Sequence, residues 1–196
     1  MKKLQLAPAM AVLMMLGLTA CPQTSVPRNF GAKPLALKTE DWQGTWQIAG
    51  ENDDLRFVVK DAAAGQITVL EPDAEKKKDK DEPVEIVIRE TGAKEDGARA
   101  FMIVMSEPGG DRGSLNLITV ANKGTFHSWN MKHDVVEAAV KSGELKGEVK
   151  EVQDKGDQKP HNHTSLHANP ANYDKLMDPK YWEWSEPGTF VRKQEK

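Results

Sequence analysis

The sequence predicts a mainly β chain, folded as an antiparallel up-and-down β-barrel or half-barrel with two short helices near the C-terminus. Three observations carry that expectation. Apolar residues alternate with polar ones over short runs, the side-chain period of a half-buried strand. Gly, Pro and Asp break the runs at close intervals, which leaves room for tight turns and none for long crossovers. Helical periodicity is confined to two short segments in the last third of the chain.

Nine strand-like runs follow in order. Thr45–Ile48 is the first, and Leu55–Lys60 the most regular, with Leu55, Phe57 and Val59 on one face. Gly65–Val69 and Val84–Ile88 come next. Phe101–Met105 is apolar throughout, as expected of a strand covered on both faces. Leu115–Val120 and Thr125–Trp129 read as the arms of a hairpin across Asn122-Lys123-Gly124. Val149–Val152 and Thr189–Arg192 complete the set. Asp134 and Glu137 form a D-x-x-E variant of the capping box, heading a helix that Gly143 ends. Asn169-Pro170 starts a second helix, which runs to Met177 and stops at Asp178-Pro179. The mixed-charge run from Asp73 to Pro83 reads as a solvated loop between two strands.

Composition narrows the function classes. With 38% hydrophobic and 29% charged residues, the chain is an ordinary globular one. Its formal charge is −3, and Lys alternates with Asp and Glu instead of forming a basic stripe, so nucleic acid is not an expected partner. Beyond the first twenty residues no apolar run approaches the roughly 18–20 residues that span a bilayer. The single cysteine, Cys21, rules out an internal disulfide.

The N-terminus has a separate logic. Met1-Lys2-Lys3 is positively charged, Leu4 to Leu18 is apolar, and Leu18-Thr19-Ala20-Cys21 follows. The four residues resemble the bacterial lipobox. The resemblance implies a leader over residues 1–20, cleaved before Cys21. A diacylglycerol would then sit on the Cys21 sulfur and an acyl chain on the new N-terminus. Several acyl chains make a durable membrane anchor where one is marginal. Pro22 stands where Asp directs retention in the inner membrane, so the resemblance further implies the outer membrane, facing the periplasm. Residues 21–38 contain Pro22, Pro27 and Pro34 and read as a flexible tether reaching at most about 55 Å. The barrel-like domain is then expected over residues 39–196.

A second resemblance rests on Gly44-Thr45-Trp46. A Gly-x-Trp on the first strand of an up-and-down barrel resembles the lipocalin signature. There the Trp closes one barrel end and a basic residue of the last strand packs over its ring. Arg192 is the residue in that position, and the resemblance implies a cation–π contact worth about 0.5–2 kcal/mol. The stretch Lys141–Gly147 and the terminal Trp184–Arg192 also resemble small uncharacterised proteobacterial lipoproteins, which implies no activity.

Two further groups are candidates for chemistry. His161, His163 and His167, with Asp154 and Asp157 upstream, could bind Zn²⁺ or Cu²⁺, since neutral imidazole suits both ions. An extended His-x-His places two rings on one side; the competing reading is an exposed loop. Tyr181-Trp182-Glu183-Trp184, with Trp42 and Trp46, could line an apolar pocket or plug one end of the domain. No catalytic constellation stands out. Ser106, Ser114, Ser128 and Ser165 lack a Gly-x-Ser-x-Gly elbow, no pair of carboxylates is singled out, and Gly109–Gly113 reads as a turn. The expectation is a non-enzymatic, membrane-anchored protein that binds an apolar small molecule or an envelope protein, with metal binding as the alternative.

Overall fold

The computed structural model describes residues 24–70, 83–92, 99–105, 109–121, 124–153 and 160–194. The leader, Cys21, Pro22, the charged run over 73–82, Asn122-Lys123, and Asp154 and Asp157 lie outside the described residues.

Eight strands close an antiparallel barrel. In chain order the described strands are β1 (Thr24–Pro27), β2 (Gly44–Ile48), β3 (Asp54–Asp61), β4 (Gln66–Leu70), β5 (Val84–Glu90), β6 (Arg99–Met105), β7 (Arg112–Thr119), β8 (Thr125–Asn130), β9 (Gly147–Val152), β10 (His161–Leu166) and β11 (Gly188–Arg192). From β2 to β8 each strand pairs with the next, and β11 closes the ring between β8 and β2. The expected hairpin is present, with Leu117 opposite Trp129. Three α-helices accompany the strands: α1 (Thr39–Trp42), α2 (His133–Lys141) and α3 (Pro170–Lys175).

Alternation along the strands sorts the apolar residues into two cores. Inward-facing Trp46, Ile48, Leu55, Phe57, Ile67, Ile86, Ile88, Met102, Ile118, Phe126 and Phe190 fill the barrel. Outward-facing Val87, Phe101, Ile103, Leu115 and Leu117 meet Val26, Phe30, Val136, Leu166, Tyr181 and Trp182 in a second core against the outer wall. Phe101–Met105 is apolar at every position because β6 contributes to both, as its composition predicts.

The outer layer departs from the expected tether. Residues 24–38 belong to the fold: β1 runs antiparallel to β7 and parallel to β10, and β10 carries β9. Val26 and Phe30 are fully buried, and Leu35 and Leu37 hydrogen-bond across the barrel end to Ile88 and Ala62. The prolines suggest an open chain. Pro27, however, is the last residue of its strand, a position that needs no ladder N–H, and Pro34 makes only an isolated bridge to Arg89.

The helices follow their sequence signals with one correction. Asn169 caps α3 by accepting from Ala171 N at 2.9 Å, with Pro170 in the first turn. Gly143, at φ +78°, ends α2. The capping box does not form. The helix begins two residues early, at His133 with Lys132 as its N-cap, which puts Asp134 inside the first turn, where it complements the helix dipole. Glu137 Oε1 instead accepts from Lys141 Nζ at 2.5 Å and Asn162 Nδ2 at 2.8 Å.

Candidate functional site

Two sites draw in the residues that the sequence singles out. The first is the plugged end of the barrel. Gly44 opens β2 at φ +133°, a conformation open to glycine alone, and Trp46 turns inward two residues later. The Trp46 ring is fully buried against Phe57 and Phe126, with centroids 5.6 and 5.2 Å away, and its Nε1 donates to Trp42 O at 2.8 Å. Trp42, from α1, adds its own ring to Phe126.

Arg192 stands directly opposite Trp46 in the β11–β2 ladder. The basic side chain that the lipocalin resemblance implies over the Trp46 ring is not there: Arg192 makes a different contact. The guanidinium lies over Gly44, where a Cβ would come within 3.0 Å of Nε, and it donates to Glu40 O of α1. Cation–π contacts among the described residues are made instead by Arg99 over Trp184 and Lys180 over Tyr181, at 4.7 and 4.9 Å. Gly44, with no side chain, leaves the gap through which Arg192 reaches the helix backbone.

The second site surrounds β1. Thr24, 1% exposed, donates its N–H to His133 Nδ1 at 3.0 Å. Burial holds the His133 pKa below its ordinary value, partly opposed by the Asp134 carboxylate. Ser25 Oγ lies 2.9 Å from His163 Nε2 and accepts from Arg112 Nε at 3.0 Å. Arg112 Nη2 donates to the carbonyls of Ser25 and Leu166 at 2.9 and 3.1 Å. A serine beside an imidazole resembles the start of a nucleophile–base pair. Here Arg112 ties the same hydroxyl to two strand carbonyls, so the cluster acts as a clamp joining β7, β1 and β10.

The histidine segment is thus a strand, where an exposed loop or a metal site was expected. His161 and His163 share one face of β10, as the His-x-His spacing predicts. His167 lies beyond the strand end, roughly 13 Å farther along an extended chain than His163. There its Nε2 is 4.0 Å from Glu148 Oε1. Among the described residues no group of three or more His, Cys, Asp or Glu side chains is gathered to hold a metal ion.

The C-terminal aromatics divide. Tyr181 and Trp182 are fully buried in the outer core, while Trp184 is partly exposed and packs on Trp129 at 4.8 Å. They cover the barrel wall, and Trp42 and Trp46 plug its end. Sequence reasoning missed the clamp residues Ser25 and Arg112; the one local signal was the pair of apolar residues, Val26 and Phe30, in a proline-rich stretch. Among the described residues no helix is long and apolar enough to cross a membrane. No protein-family model, curated protein or solved structure matches the chain.

Proposed function

We propose that this chain is a non-enzymatic envelope lipoprotein, anchored through an acylated Cys21 to the outer membrane on the periplasmic side, whose barrel works through its outer surface by binding another envelope protein. The lipobox-like Leu18–Cys21 supports the anchor. The observation that carries the surface reading is the filled interior. A void able to admit water would leave exposed area on the side chains lining it, and the inward-facing Trp46, Phe57, Phe126 and Phe190 are at most 2% exposed. Phe126 and Phe190, directly paired in the β8–β11 ladder, stack with centroids 4.4 Å apart and occupy the lumen beside that wall. Admitting an apolar molecule would require displacing several aromatic side chains, each worth a few kcal/mol of burial.

The test is titration of the folded chain with an environment-sensitive apolar fluorophore, followed by competition with a long-chain fatty acid. The surface reading predicts no saturable, displaceable binding. Stoichiometric binding displaced by the fatty acid would overturn it in favour of an interior ligand.

A further inference from the structure

We infer that the rim around the start of β1 rests on the lipid head-group layer, so that the barrel lies directly on the membrane with one fixed side facing it. This rests on the proposed acylation of Cys21. The rim comprises the first turn of α2 with Lys132, His133 and Asp134, the first half of β10 with His161 and His163, and the end of β9 at Glu151.

The argument is one of reach. Thr24 is held in place: it pairs with Thr164 of β10, its N–H is bonded to His133, and it is buried. From Thr24 back to Cys21 there are three Cα–Cα steps, at most about 11 Å. The glyceryl group on Cys21 has to stay at the membrane interface, because its acyl chains occupy the hydrocarbon. The head-group layer itself is roughly 5–7 Å deep on each side. The start of β1 is therefore within a few ångströms of the head groups, and the 55 Å excursion of a free tether is not open to it. The neighbouring surface must meet them too. β10 runs parallel to β1, so its beginning projects from the same end, and β9 pairs with β10 through Glu151 opposite Asn162.

The chemistry of the rim fits that contact. Lys132 can donate to phosphate oxygens, and among the described residues of the rim no large apolar side chain is exposed to insert deeper; the exposed large hydrophobic residue of the described chain is Val191, on β11. The rim lies on the head groups without entering the hydrocarbon. β3, four strands from β7 around the ring of eight, faces away from the bilayer and carries exposed Arg56.

The experiment uses the acylated full-length product. An acylated Cys21 has no free thiol, so an introduced cysteine is labelled alone. Asp134→Cys, Glu151→Cys and Arg56→Cys, each at an exposed position, are labelled with a fluorophore and reconstituted in phosphatidylethanolamine/phosphatidylglycerol vesicles containing a nitroxide-headed lipid. The expected result is loss of fluorescence for Asp134→Cys and Glu151→Cys and retention for Arg56→Cys. Equal loss at all three positions, or loss for Arg56→Cys alone, overturns the inference. Flotation of the same samples separates the two claims. A chain that fails to float with the vesicles contradicts the acylation itself, whereas a floating chain with the wrong quenching pattern contradicts only the orientation.

Discussion

The backbone N–H of Thr24 donates to Nδ1 of His133 at 3.0 Å, joining the first strand to the start of α2 across 109 positions of sequence. An imidazole can accept that bond only while Nδ1 carries no proton. The linkage makes the attachment of β1 sensitive to pH.

The His133 pKa in the folded chain is below the unfolded value of 6.5, because burial disfavours the cation. Above pH 6.5 both states hold a neutral ring and nothing is lost. As pH falls below 6.5 the unfolded chain takes up the proton first, so stability falls until the folded-state pKa is passed. Denaturant midpoints measured through this window should decline for the wild type. In His133→Gln, whose side-chain oxygen accepts without titrating, the decline should be smaller.

A second pH window belongs to Glu85. Its carboxylate takes both Nη atoms of Arg28 and the N–H of Gly109, and the hydrogen bond from Arg28 is the main reason its pKa lies below the unfolded value of 4.5. That stability is fully present above pH 4.5 and is lost as pH falls through the folded-state value. Arg28→Ala should cost about 0.5–1 kcal/mol at neutral pH, the range for a partly exposed pair. The cost should shrink below pH 4, which acid titration of the thermal midpoint would register.

Gly44 meets two constraints that a double mutant separates. Gly44→Ala introduces a left-handed-region strain and a Cβ 3.0 Å from Arg192 Nε. The backbone part costs about 1–2 kcal/mol. Arg192→Ala in the same chain should restore only the steric part, so the combined loss should be smaller than the sum of the single losses. Strict additivity would place Arg192 elsewhere.

Phe126 touches Trp42, Trp46, Phe57 and Phe190. Phe126→Ala should therefore cost about 3–5 kcal/mol, the toll of a large cavity in a packed core. It should also create the apolar-probe binding that the wild type is expected to lack. Loss of stability without new binding would mean that the barrel collapses onto the gap.

How much of this was legible depends on where each signal resides. β3 and β6 were readable because Leu55-Arg56-Phe57 alternates locally and Phe101–Met105 is apolar at every position. The turn-and-cap chemistry of Asn169-Pro170 and Gly143 was readable for the same reason. β1 and β10 were not. Thr24-Ser25-Val26-Pro27 and His161-Asn162-His163-Thr164-Ser165-Leu166 are short and mostly polar; β1 becomes a strand by pairing with β7 and β10 across long separations, and β10 by pairing along its whole length with β9, without an alternating apolar pattern to announce it. The same non-local cause explains the clamp, in which Ser25, Arg112 and His163 meet only after the sheet assembles. Arg192 was expected over the Trp46 ring; it stands opposite Trp46 in the β11–β2 ladder without making that contact. Its contact with Glu40 depended on α1, a four-residue helix without a sequence signature.

The central claim is that the thiol of Cys21 carries lipid and begins the mature chain, and mass spectrometry of the N-terminal peptide from membrane-extracted protein tests it most directly. The account predicts a peptide starting at Cys21 with a diacylglyceryl group and one further acyl chain, absent from a Cys21→Ala variant. A chain that retains Met1 to Ala20, or a mature peptide with an unmodified cysteine, would contradict it.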